Sequence, residues 1–272
     1  LIKILETLNN ANQLIHYQEY LLDFEKYDRQ IKTLLKKDPL IIPIGYEGHA
    51  ICFVKFGNWL AKCDRGANSK KEGSVNIYEI NNINAFTPDL IKNLVFKRQS
   101  EAIIHHEINK FLNLKKLGEL PVPSQVIGNC AWANVEATLP TLLFMSLIRD
   151  PDFGHAEDAV NITLNFYHSW QTWDKDIALN ECIQSFWLAN PARKASKAAL
   201  LAAILFQTCT KDDPINQSRA KRILRVLTVS NYEYILKSYL KIYKKKHNTI
   251  KGQQLLNWLY HNDISVHNYL EN

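Results

Sequence analysis

The sequence has neither a GxGxxG nor a GKS/T loop, so both common glycine-rich phosphate cradles are missing. It also lacks HExxH. The adjacent pair His105-His106, with Glu107 next, points in different directions on a helix and gives no basis for a metal centre. No cofactor is expected. The five cysteines, Cys52, Cys63, Cys130, Cys182 and Cys209, form no CxxC pair and are odd in number. That argues against a disulfide framework and for a reducing compartment. No apolar run reaches membrane-spanning length without charged or polar interruption, and the longest, around 139–148, is too short. No membrane span is expected. A TPLHxA repeat signature is missing too, so an ankyrin array is unsupported within these residues.

What is present is a globular composition, 46% apolar and 22% charged over 272 residues. That length buries a sizeable core in one large or two modest domains. Beginning at Leu1 rather than Met, the sequence is expected to be part of a longer protein. The net charge of +6 is uneven: residues 211–251 hold eleven Lys or Arg against three Asp or Glu. This block, with Arg219, Arg222, Arg225, Lys241, Lys244, Lys245 and Lys246, reads as a solvated helical face. It is also a candidate patch for an acidic or nucleic-acid-associated partner.

Apolar spacing predicts one or two amphipathic helices over 1–36. Pro39 and Pro43 lead into a strand at 40–44. Gly57-Asn58 sits between the apolar runs of a hairpin over 49–64, and alternation at 74–80 adds another strand. An antiparallel sheet of three to five strands follows. Pro88-Asp89 opens a short helix, 98–117 reads as a helix stopped at Gly118, and Pro140 breaks or kinks the helix begun at Cys130. From Asp150 onward strand signals almost vanish. Helices are expected at 158–170, 175–188, 192–209, 217–227, 232–245 and 250–260. The predicted fold is α+β: a catalytic domain at 1–149 with a small antiparallel sheet packed on helices, and an all-helical subdomain at 150–272.

Within this frame four residues take chemical roles. The hairpin register places His49 opposite Gly66, two positions from Asp64. A carboxylate there reaches imidazole Nδ1, fixes the tautomer and leaves Nε2 as the base. Asp64-Arg65-Gly66 also reads as a turn in which Asp64 bonds its own backbone, and both readings can hold together. Cys130 follows Gly128-Asn129 and opens a helix. The unpaired N–H groups and positive dipole end there lower a thiol pKa. Gln125, five residues earlier, offers an amide to a developing oxyanion, with the Cys130 N–H as second donor. Asn134, one turn on, reads as support for the site.

The order His49, Asp64, Gln125, Cys130 resembles the ubiquitin-like-protease and YopJ-like branch of papain-like thiol enzymes. The chain also looks like the cysteine-protease-like domains of type IV secretion effectors of Legionella and Coxiella, sometimes found beside ankyrin repeats. The resemblance covers residues 38–145. It departs from eukaryotic members at Ala50, where they carry Trp, and at Asn129 and Ala131, which flank the nucleophile in place of Asp and Gly. It implies a thiol hydrolase acting on peptide or isopeptide bonds of a host protein, secreted by a bacterium into the host cytosol or nucleus. The same four residues serve a YopJ-like acyltransferase or a glutamine deamidase equally. A non-catalytic host-protein-binding module is the reading from outside enzymology.

Overall fold

The structure is a computed structural model that describes residues 2–19, 24–66, 73–125, 130–153, 155–262 and 264. The chain divides into two compact units, Leu1–Ser169 and Trp170–Asn272. The architecture is α+β, with ten α-helices and one sheet among the described residues.

In the first unit, α1 (Ile2–Glu19) and α2 (Asp28–Leu35) precede an antiparallel meander of five strands. These are β1 (Leu40–Tyr46), β2 (His49–Phe56), β3 (Trp59–Cys63), β4 (Val75–Ile80) and β5 (Leu114–Leu120), side by side in chain order. The β2–β3 hairpin turns at Gly57-Asn58, with Phe56 facing Trp59 and Cys52 facing Cys63. Period-two alternation gives the sheet two buried faces. Leu40, Ile42, Ile51, Phe53 and Leu60 join Ile31 and Leu35 of α2, Ile91 and Leu94 of α3 (Pro88–Phe96), and Ile104 and Ile108. The opposite face, with Ile41, Cys52, Val54, Ala61 and Cys63, receives α5 (Cys130–Ile148) on β2 and β3. The Cys63 thiol meets Thr141 Oγ1 of that helix at 3.5 Å.

Three elements differ from expectation. The helical stretch at 98–117 is divided. A wide π-type turn (Ile103–Glu107) runs into the short α4 (Ile108–Phe111), and Asn113 at φ 48° ends it in the left-handed region. The chain then becomes β5, in which Gly118 is an interior residue paired with Ile77. Its exposed Lys115, Lys116 and Glu119 mark a charged sheet edge, a pattern that local helix propensity also favours. Second, α5 continues through Pro140 without a break. The residues on either side, Ala137, Thr138, Thr141 and Leu142, are fully buried, and this packing outweighs the one hydrogen bond the ring removes. The helix is therefore longer than the apolar run read from sequence. By length and composition it could cross a membrane, yet half of its most apolar window is buried, as in a core helix.

Third, the helices expected at 158–170 and 175–188 form one, α6 (Ala156–Trp187), which is continuous through Trp173-Asp174, where no Gly or Pro interrupts it. The second unit is helical, with α7 (Pro191–Thr208), α8 (Pro214–Val229), α9 (Tyr234–Tyr239), a π-type turn (Leu240–Lys246) and α10 (Ile250–Tyr260). Asn190-Pro191 and Asp213-Pro214 act as cap and first-turn proline, their side chains accepting from the N–H of Arg193 and of Ile215 and Asn216. Leu201, Leu205, Ile223, Leu227, Leu240 and Leu255 form a separate core.

Candidate active site

β1 passes into β2 through Glu47 and Gly48, both at positive φ, a tight turn that pairs Tyr46 with His49 at the start of β2. Asp64 follows the end of β3, its N–H bonded to the Ser74 carbonyl at 2.9 Å. His49 Nε2 and Asp64 Oδ1 lie 2.7 Å apart, with 22% and 10% of the side chains exposed. Asp64 Oδ1 also accepts from the Gly66 N–H at 2.9 Å, so the turn and the histidine contact coexist. A Cβ at Gly66 would fall 2.6 Å from His49 Cε1, and only a glycine lets the ring lie there.

The nitrogen on the carboxylate is Nε2, not the Nδ1 expected from sequence. With Nε2 on Asp64, Nδ1 is the ring nitrogen left for the Cys130 thiol, which His49 also meets. The Ala50 N–H donates to Cys130 Sγ at 3.4 Å.

The electrostatics follow from these contacts. Burial pushes the Asp64 carboxyl up, but the bonds from His49 and the Gly66 N–H, with the positive charge of His49 and His105, bring it below 3.8. The Asp64 bond raises the His49 pKa above 6.5 against the effect of burial, and the Cys130 thiolate adds to the rise. The Ala50 N–H holds the Cys130 pKa below its ordinary 9.0, offset in part by burial and helped by His49 and the Ala131 N–H. The leading donor thus comes from the strand, not from the end of α5. Other thiols move the opposite way: burial pushes Cys52 up, and Cys63 and Cys209 up to about 12.

A buried clamp fixes this arrangement. Asn134 Oδ1 accepts from the Arg65 N–H at 2.7 Å, and its amide donates to the Ala50 carbonyl at 2.5 Å. One fully buried side chain on α5 thereby ties the residue after Asp64 to the residue after His49. Arg65 adds bonds to the Pro123 and Ala133 carbonyls, to Glu136 at 2.9 Å and to Tyr167 Oη at 3.3 Å. Gln125 donates its N–H to the Arg65 carbonyl at 2.8 Å, which brings the approach to Cys130 alongside Asp64. The expected Gly128-Asn129 turn lies outside the described residues. Sequence reasoning missed the Ala50 N–H and the close approach of Gly66. The glycine's place opposite His49 was the available signal for the second.

The basic candidates lie in the second unit and do not form one set. Arg219 is buried, paired with Asp176 at 2.8 Å and with the Thr172 carbonyl at 2.7 Å, so it belongs to the helix packing rather than to an exposed patch. Arg222 reaches Asp176 and Asn180, and Lys244 bonds Asn248. Lys221, Arg222 and Arg225 line a shallow depression on α8. Lys241, Lys244, Lys245 and Lys246 follow in the turn after α9.

A solved structure decides where the whole chain finds a likeness. It is similar to the Legionella effector AnkH. The two are 41% identical with a TM-score of 0.83 over 97% of this chain, which spans 56% of the length of AnkH. The expected likeness to Legionella-type effectors is met over nearly every residue. No protein-family model and no curated protein sequence matches the chain.

Proposed function

We propose that the chain is the thiol-hydrolase part of a bacterial effector, cleaving a peptide or isopeptide bond in a host protein. The observation that carries the reading is the convergence of Cys130, the His49–Asp64 couple and the Ala50 N–H at one place. Likeness to AnkH, an effector, supports delivery into a host cell and a host protein as substrate. In this mechanism His49 Nδ1 takes the Cys130 proton and the thiolate attacks the carbonyl carbon. His49 returns that proton to the departing amine, leaving a thioester. Water, deprotonated by His49, then cleaves the thioester to a carboxylic acid and restores the thiol. The Cys130 N–H and the Gln125 amide are the donors assigned to the oxyanion. Trp132, 54% exposed in the first turn of α5, offers an apolar wall for the substrate chain.

The test is the pH dependence of iodoacetamide alkylation at each cysteine. A lowered Cys130 pKa beside a raised His49 pKa keeps thiolate present as pH falls below the ordinary thiol range. Cys130 should therefore react near pH 6–7 about tenfold or more faster than the other cysteines. His49→Ala should move its curve to higher pH. A curve that rises only near pH 8.5 and ignores His49 leaves an ordinary cysteine. The chain would then be a binding module.

A further inference from the structure

Only one oxygen of Asp64 faces His49. The other, Oδ2, is buried and makes no hydrogen bond among the described residues. A buried carboxylate oxygen of this kind calls for a cation or donor nearby. His105 Nε2 lies 3.6 Å from it, on a side chain only 14% exposed. The same Nε2 is 3.2 Å from Tyr46 Oη. The Tyr46 ring stands edge-on to both imidazoles, with centroids 5.3 Å from His49 and 5.5 Å from His105. Asp64 is thus shared between two histidines, with one tyrosine packed against both.

His105 is held there by construction. It sits in the π-type turn Ile103–Glu107, where the Ile108 N–H bonds the Ile103 carbonyl. The adjacent Ile104 carbonyl accepts from Lys62 Nζ at 2.8 Å, and that lysine, 5% exposed, also bonds Asn109. A buried ammonium two residues before Asp64 therefore anchors the turn that delivers His105 to it. The wide turn adds a residue to the helix and changes which side chains face the sheet. Of the titratable groups packed against His105, Tyr46 of β1 lies 3.2 Å from its Nε2 and Asp64, just after β3, lies 3.6 Å from it. His106 and Glu107 are exposed.

We infer that His105 is a positioning residue of the site: a second imidazole that holds the far oxygen of Asp64 and so aims the near one at His49. The inference rests on the thiol-enzyme reading above. His105 acts through Asp64, and its Nε2, 3.6 Å from Oδ2, is the atom that matters. Glutamine places an amide N–H near the position of that nitrogen, whereas asparagine falls short of it.

The experiment measures Cys130 alkylation against pH in the full chain, carrying His105→Ala, His105→Gln, His105→Asn and Asp64→Ala, alone and with His105→Ala. Thermal melts of each variant establish that it folds. His105→Ala and His105→Asn should slow the reaction near pH 6.5 by about five- to tenfold and move the curve to higher pH, while His105→Gln should stay within about twofold. In the Asp64→Ala background, His105→Ala should add no loss. If the alanine variant does not fold, the comparison of glutamine with asparagine carries the test. An unmoved curve in folded His105→Ala overturns the inference, as does an equal loss with and without Asp64, or failure of glutamine to rescue. A parent chain whose Cys130 shows no dependence on His49 removes the thiol-enzyme reading and this inference together. A His49-dependent parent with an inert His105 removes this inference alone.

Discussion

Gly66 shows how much depends on one missing methyl. Its N–H bonds Asp64 Oδ1, and a Cβ would meet His49 Cε1 at 2.6 Å and Nε2 at 2.8 Å. The neighbour that would have to give way is the imidazole itself. Gly66→Ala should therefore displace His49 from Asp64 and slow Cys130 alkylation near pH 7 by about tenfold, at a stability loss of about 1–3 kcal/mol. Labelling kinetics with a thermal melt checks both. At this scale the sequence was informative about residue types and poor about atoms. Hairpin arithmetic from Gly57-Asn58 put His49, Asp64 and Gly66 in the right neighbourhood. Which ring nitrogen meets the carboxylate depends on the angle of approach, and so does the N–H that meets the thiol. Spacing carries no record of angles.

Among the elements, α5 does the most to assemble the site. Cys130 at its start and Asn134 one turn later lie on a helix packed against β2 and β3. Asn134 bonds both the Ala50 carbonyl and the Arg65 N–H. Asn134→Ala should leave both backbone groups without their partner, lowering stability by about 2–3 kcal/mol. It should also slow Cys130 by loosening both strand ends, and denaturant unfolding beside alkylation tests this. The strands β1 to β4 were legible because alternation and turn residues are local signals. β5 was not, because a Lys- and Leu-rich segment suits a helix until β4 offers it an edge to pair with. Pro140 misled for the same reason, since its penalty is local and the packing that outweighs it is not.

Across the whole molecule, each unit has its own core. In the second, Gly252 lies so close to the turn after α9 that a Cβ would collide with the Tyr243 carbonyl carbon and oxygen. Backbone cannot yield there as a side-chain tip can. Gly252→Ala should destabilise the helical unit by about 2–3 kcal/mol and speed alkylation of its buried Cys209. The Cys130 curve, which belongs to the other unit, should hold. Mass spectrometry of labelling at the two cysteines within one sample separates these outcomes.

His49 and Ala50 are consecutive on β2, so the imidazole beside the thiol and the amide that holds its sulfur are carried by one piece of backbone. Neither can be adjusted without the other. A slip of a single residue between β1 and β2 would reverse the face of every side chain on the strand and remove both partners from Cys130 together. The reactivity of one thiol is thus a report on sheet register. Chains trapped in a mispaired sheet would stay chemically silent, and a pulse of alkylating agent during refolding would count the correctly assembled ones.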